Sequence, residues 1–329
     1  MSPSPLRTVV AAIASVALCA LATGGNAQAS LAFVTYANEG TIATIDVLTG
    51  TEMGLVAAGL NGPFGLVFDG KRNLYVSNGF KNSISKIDPN GRVSTFATGL
   101  NAPRGVAIDA MGDVYVANFG ADSISKISST GLVRSFATGL KGPFGLAFDG
   151  AGNLYAANFI GSTVSKITPQ GRVSVFATGL SGPRGIAFDQ YGNLYAANAT
   201  NSTIGKISPN GTVSTFATGL DVPEGLSFDE KGDLFVTNAG NDSITKITPD
   251  GEVRPLPASS GAKKRPYSVA MWPRSVPPAI TAIQPAKKIP IIPGISIAIG
   301  ALLLFVGVRK LLKPRRRRRR RRSRQEEGA

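Results

Sequence analysis

The chain has 329 residues, 39 of them glycine, with 43% hydrophobic, 17% charged and 7% aromatic residues, enough apolar material for a core and too little charge for a disordered protein. Histidine is absent and there is one cysteine, which excludes an imidazole base, a disulfide framework and a Cys/His zinc site. The formal net charge of +15 belongs to the C-terminal end: residues 30–285 hold 20 Lys+Arg against 18 Asp+Glu, and residues 286–329 hold 14 against 2. A near-neutral main domain argues against a nucleic-acid partner.

Residues 1–29 read as a cleaved secretory signal, with Arg7, an apolar run over 9–21 and the small-x-small sequence Ala27-Gln28-Ala29. Cys19 lies inside it, so the mature protein has no thiol nucleophile. Residues 31–58 then supply three short strands. Phe33-Val34-Thr35-Tyr36 aligns with Tyr75-Val76-Ser77-Asn78, and residues 41–46 align with 83–88.

Five units follow, starting with Gly-Leu at 59, 99, 139, 179 and 219, a period of 40 residues that is the mark of a propeller or solenoid. Each opens Gly-Leu-x-x-Pro-x and continues through an apolar run ending in Asp. Runs such as 153–158, 163–167 and 173–177 come next, five or six residues long and separated by Gly, Pro, Asn and Asp. They are too short and too often interrupted for helices, and suit four antiparallel strands, one propeller blade. Turns such as Asp149-Gly150-Ala151-Gly152-Asn153 and Pro169-Gln170-Gly171 supply side-chain caps and positive-φ positions.

Residues 265–272 match the first strand that residues 31–58 lack. The expected fold is therefore all-β: a six-bladed β-propeller over residues 30–273, whose closing blade is a composite of three N-terminal strands and one C-terminal strand.

The pattern Pro-x-Gly, apolar run, Asp, then Gly-(Asn/Asp)-(Leu/Val)-(Tyr/Phe)-x-x-Asn resembles NHL-type repeats. It is similar to the six-bladed group that includes SMP-30/gluconolactonase-like and virginiamycin B lyase-like proteins. The resemblance spans about residues 31–272 and is specific for fold but not for activity, because such propellers host hydrolases, lyases and binding proteins. It implies that first strands line the channel, so the x of Pro-x-Gly stands at one mouth. Around the ring x is Phe64, Arg104, Phe144, Arg184, Glu224 and Tyr267.

Gluconolactonase-like relatives are implied to bind a divalent metal through Glu, Asn and Asp at comparable positions. Only Glu224 offers such an oxygen here, so no cofactor is expected, and a divalent metal through Glu224 is the alternative. The lyase-like relatives are implied to use histidine, which this chain lacks. Arg104 and Arg184 suit carboxylates or phosphates, and Phe64, Phe144 and Tyr267 suit sugar rings or peptide side chains. The competing expectation is structural: Arg184 pairs with Glu224 while the Phe residues plug the channel.

Other repeated residues have structural readings. Asp69, Asp109, Asp149, Asp189 and Asp229 should cap turns, and Asn78, Asn118, Asn158, Asn198 and Asn238 should bond loop backbone. Lys86, Lys126, Lys166, Lys206 and Lys246 should form a solvated ladder.

Residues 274–288 read as a Pro-rich stalk, and residues 289–308 as an uncharged span of the ~20 residues that a transmembrane helix needs. Residues 309–329 carry Arg309, Lys310, Lys313 and eight arginines at 315–322, which places the tail in the cytoplasm and the propeller outside. The expectation is an exported, single-pass, membrane-tethered binding module at the cell envelope, taking a small anionic or sugar ligand or an envelope protein. The alternative is a gluconolactonase-like hydrolase of lactones or sugar acids.

Overall fold

The computed structural model describes residues 31–256 and 265–271. These form twenty-four strands, β1 to β24 in chain order, arranged as six four-stranded antiparallel sheets. The signal, stalk, apolar span and Arg-rich tail expected at 1–29, 274–288, 289–308 and 309–329 lie outside the described residues. Among the described residues no helix is long and apolar enough to cross a membrane.

Five sheets follow the repeat. Their first strands are β4 (Pro63–Phe68), β8 (Pro103–Ile108), β12 (Pro143–Phe148), β16 (Pro183–Phe188) and β20 (Pro223–Phe228). Each pairs with a second strand: β5 (Leu74–Asn78), β9 (Val114–Asn118), β13 (Leu154–Asn158), β17 (Leu194–Asn198) or β21 (Leu234–Asn238). The sixth sheet is the composite, in the order β24 (Pro266–Met271), β1 (Leu31–Tyr36), β2 (Thr41–Asp46), β3 (Glu52–Ala57), with Val34 opposite Val269. The ring is therefore fastened by the two ends of the propeller sequence, and the sheet edges left among the described residues are the short outer strands of the blades.

Burial explains the strand composition. All five residues of β13 are buried, because both faces of a blade pack on neighbours, so second strands read as apolar runs without alternation. The fourth strand of the same blade, Val173–Ala177, is exposed over its first three residues. Six apolar clusters sit between adjacent blades. In one, Tyr115, Ala117 and Ile124 meet Leu146, Leu154 and Ile167. Two more close the ring, Val34 and Ala43 against Phe235, and Phe33 and Ile42 against Leu66 and Val76.

The repeated Asp residues do cap turns. Asp149 Oδ1 accepts the amides of Ala151 and Asn153 at 3.0 and 2.8 Å, and its Oδ2 accepts from Asn153 Nδ2 at 2.8 Å. The repeated Asn residues reach loop backbone, as when Asn118 Oδ1 accepts the Asn101 amide at 3.2 Å, while its Nδ2 donates to Ser125 at 2.8 Å. The lysines differ from the expectation of a solvated ladder. Lys86, Lys126, Lys166 and Lys206 are half-buried, each 5.0–5.5 Å from the ring of the Tyr opposite on the second strand. Lys126 also pairs with Asp113 at 2.9 Å, and Lys246 with Asp233 at 2.5 Å. Cross-strand Tyr packing and the turn carboxylates draw these stems inward, an effect a count of surface charge does not register.

Candidate functional site at the channel mouth

All six x residues lie within a bulge. Pairing between first and second strands shifts register between Pro63 and Leu66, and at the same place in β8, β12, β16 and β20; the β1–β24 ladder shifts around Tyr267. A bulge turns a side chain out of the pleat, here toward the ring axis at the N-terminal ends of the first strands. The glycine after x is where neighbouring first strands meet backbone to backbone: a Cβ on Gly65 would stand 2.5 Å from the Arg104 carbonyl oxygen. Three hydroxyls clasp this seam. Ser77 Oγ donates to the Arg104 carbonyl and accepts the Gly65 amide at 2.9 Å; Thr35 reaches the Phe64 carbonyl and Thr237 the Tyr267 carbonyl. Ala117, Ala157 and Ala197 hold the equivalent places in the other blades.

The predicted residues come together as one chain of contacts. Phe64 meets Tyr267 edge-to-face at 4.8 Å. The Arg104 guanidinium lies over the Phe64 ring at 3.7 Å, with the Phe119 and Phe144 rings at 5.5 and 5.9 Å. The Arg184 guanidinium is 5.5 Å from the same Phe144 ring and 4.8 Å from Phe159. Arg184 Nη1 pairs with Oε1 of Glu224, whose side chain is 1% exposed.

The two arginines differ in charge balance. Glu224 neutralises Arg184, whereas among the described residues no ion pair reaches Arg104; the buried Arg104 Nη1, Arg184 Nε and Glu224 Oε2 have no hydrogen-bond partner there. Burial lowers the Arg104 pKa from the ordinary arginine value; Tyr267 opposes the shift, and the Arg184 charge adds to it. The group stays protonated, since arginine holds its proton throughout the physiological range. The six x residues thus hold two cations against one buried anion, and the Arg104 charge sits among aromatic rings.

Phe80, Phe119, Phe159 and Ile160 join this site without having been expected there. Each occupies the first or second position after the Asn that ends a second strand, and Phe80 packs edge-to-face on Phe64 at 5.7 Å. The signal was present in the register: at the first position the ring reads Ala37, Gly79, Phe119, Phe159, Ala199 and Ala239. With Phe80 at the second position, three consecutive blades bear large apolar groups in these loops, and the other three bear Ala at the first position.

The opposite mouth differs in kind. A cavity of about 660 Å³ there is lined by Leu66, Val106, Leu146, Phe228, Val269 and Met271 among others, with Asp229 and Lys231 at its rim. It holds no x residue.

The donor set at the Arg mouth does not fit a divalent metal. Glu224 is the one carboxylate among the six x residues, its Oε1 is committed to Arg184, and among the described residues no three Asp or Glu side chains converge. A hard cation needs several oxygens, and two guanidinium groups stand where they would be.

Solved structures share the fold. The chain matches a catalytically inactive histidine-to-alanine variant of virginiamycin B lyase from Staphylococcus aureus with quinupristin at 20% identity and a TM-score of 0.55, over 63% of this chain and 73% of that one. A nidogen/laminin complex matches at 19% and 0.65, over 74% and 98%. A putative gluconolactonase matches at 18% and 0.55, over 62% and 81%. No curated protein matches by sequence. The model of the virginiamycin B lyase family matches residues 27–276, the whole propeller including its closing strand, and the chain belongs to that family.

Proposed function

We propose that this protein is an exported, membrane-tethered propeller that binds an anionic ligand, or an acidic group on an envelope protein, at the mouth built by Arg104, Arg184 and their aromatic neighbours. One observation carries the reading. Among the described residues Arg104 has no acidic partner, its Nη1 is buried without an acceptor, and its guanidinium lies inside an aromatic surround. A group in that state gains an ion pair and hydrogen bonds when an oxyanion arrives, and the low dielectric strengthens both.

The composition supports binding over lyase chemistry. The inactive virginiamycin B lyase variant has lost a histidine, and this chain has none. The lactonase alternative has weaker support, because Glu224 is paired with Arg184 and no group of three acidic side chains converges among the described residues. Export and tethering rest on the signal-like residues 1–29 and on the apolar span and arginines of 289–329.

The test is calorimetric titration of glucuronate, acetate and aliphatic and aromatic monocarboxylates into wild type and into the Arg104→Ala/Arg184→Ala double variant. At least one acid should bind wild type and lose tenfold or more in affinity in the variant. Equal affinity for every acid that binds would overturn the reading. Carbonate washing of membranes should leave the full chain behind and release a chain ending at residue 285.

A further inference from the structure

The arc of aromatic rings is distributed unevenly round the mouth, and so is the charge. Phe80, Phe119, Phe159 and Ile160 come from three consecutive blades, and Phe80 and Ile160 are 68% and 64% exposed although they pack against the site or its entrance loops. Exposed large apolar side chains gathered beside a cluster of rings mark where an apolar body is received. Arg104 stands at the centre of that arc, between Phe64, Phe119 and Phe144. The facing blades contribute Arg184, held by the buried Glu224, and Tyr267 against Phe64, with the small residues Ala199, Ala239 and Ala37 at the loop position where the arc carries Phe119 and Phe159. Carbohydrate sites need hydrogen-bonding side chains around the ring stack, and this arc supplies hydrocarbon instead.

On that basis we infer that the ligand is an amphipathic monocarboxylate, a fatty or aryl-aliphatic acid, whose carboxylate pairs with Arg104 while its hydrocarbon lies along Phe119, Phe144 and Phe159. The inference rests on the anion-binding reading above and narrows it. Glu224 sets the charge limit: it already occupies Arg184, whose guanidinium shares the Phe144 ring with Arg104, so a second ligand carboxylate meets a buried like charge where it would need a partner.

The experiment uses residues 30–273, which contain all six inter-blade cores and the closing strand. The probes are octanoate, 3-phenylpropionate, phenylsuccinate, acetate and glucuronate, titrated into wild type, Arg104→Gln, Phe119→Ala, Phe159→Ala and Glu224→Gln. Octanoate and 3-phenylpropionate should bind at least tenfold tighter than acetate and glucuronate. That margin should shrink several-fold in each Phe variant, and both acids should lose at least tenfold in Arg104→Gln. Phenylsuccinate should bind wild type more weakly than 3-phenylpropionate and gain relative to it in Glu224→Gln.

Glucuronate binding as tightly as octanoate, with dependence on Arg104, would overturn this inference and leave the anion-binding reading standing. Binding of no acid would overturn both, as would octanoate binding that is indifferent to Arg104→Gln. Should the Phe→Ala variants unfold, Phe119→Leu and Phe159→Leu must reduce the margin for 3-phenylpropionate, whose ring loses its aromatic partner, more than for octanoate.

Discussion

Every residue before the first-strand proline takes a left-handed conformation: φ is +62° at Gly62, +63° at Gly142 and +57° at Gly182, and likewise +44° at Ala102, +49° at Val222 and +45° at Arg265. Glycine accepts this without steric cost, whereas a β-branched residue there is an outlier held by its surroundings. Val222→Gly should therefore raise stability by about 1 kcal/mol, from relief of strain less the added freedom of the unfolded chain. Equilibrium unfolding in urea would show the midpoint rising with unchanged slope; a falling midpoint would mean that Val222 packing outweighs its backbone strain. The pattern Gly-Pro-x-Gly was legible in the sequence as a joint with x as its variable position. The pairing of Arg184 with Glu224 was legible too, as opposite charges at x positions of neighbouring blades. The bulge that aims x at the axis could not be read from spacing, because it appears only in the register between first and second strands.

At the scale of the blade, the two mouth loops compensate for one another. Where glycine precedes the proline, the facing loop carries a larger residue, as in Gly62 with Phe80 and Gly142 with Ile160; Ala102 faces Gly120, and Val222 lies in the same loop arrangement as Gly240. A Cβ on Gly142 would stand 2.7 Å from Ile160 Cγ1. Gly142→Ala should cost about 2 kcal/mol from backbone strain and this clash together, and adding Ile160→Gly should recover about half of it. A double-mutant cycle by thermal unfolding measures the coupling; strict additivity would contradict the account. This loop pairing explains how Phe80 and Ile160 reach the site, and it is not legible in the Pro-x-Gly pattern, because the facing loop lies about 18 residues away in the chain. The lysine ladder was misread for a related reason: Tyr75, Tyr115, Tyr155 and Tyr195 lie directly opposite the lysines, a register that only strand pairing supplies.

Those four tyrosines also set an alkaline limit. Burial raises each phenol above its ordinary value, partly offset by the facing lysine. A group whose pKa is raised in the folded state contributes stability that is complete below the unfolded value, about 10, and is lost as pH climbs through the folded value. Stability should be level between pH 7 and 9 and fall above about pH 10. Tyrosinate absorbance at 295 nm should then rise together with loss of circular dichroism. Full ionisation of all the tyrosines with the β signal intact would contradict this.

For the whole molecule, the composite blade is the fastening. β24 covers the edge of β1 and completes the core with Phe235, so a chain ending at residue 256 exposes Val34 and leaves the ring open. Such a chain should lose cooperative unfolding and aggregate on heating, while a chain ending at residue 273 melts in one transition. Equal melting of the two would show that closure contributes little. Six blades, their strands and this closure were visible in the 40-residue period because each blade repeats the same turn chemistry. Closure also organises function: first strands run from the Arg and aromatic mouth to the apolar one, and both Leu31 and Met271 line the apolar cavity. The chain thus enters and leaves the propeller at the end remote from Arg104.

The central claim is that this mouth holds an organic anion and not a catalytic metal. Its most direct test is calorimetric titration of Ca²⁺, Mg²⁺ and Zn²⁺ into chelator-treated residues 30–273, with Glu224→Gln alongside. The account predicts no binding heat in either protein, because Arg184 occupies the one carboxylate of the ring. Tight one-site binding in wild type that disappears in Glu224→Gln would contradict it and return the protein to the metal-dependent hydrolases.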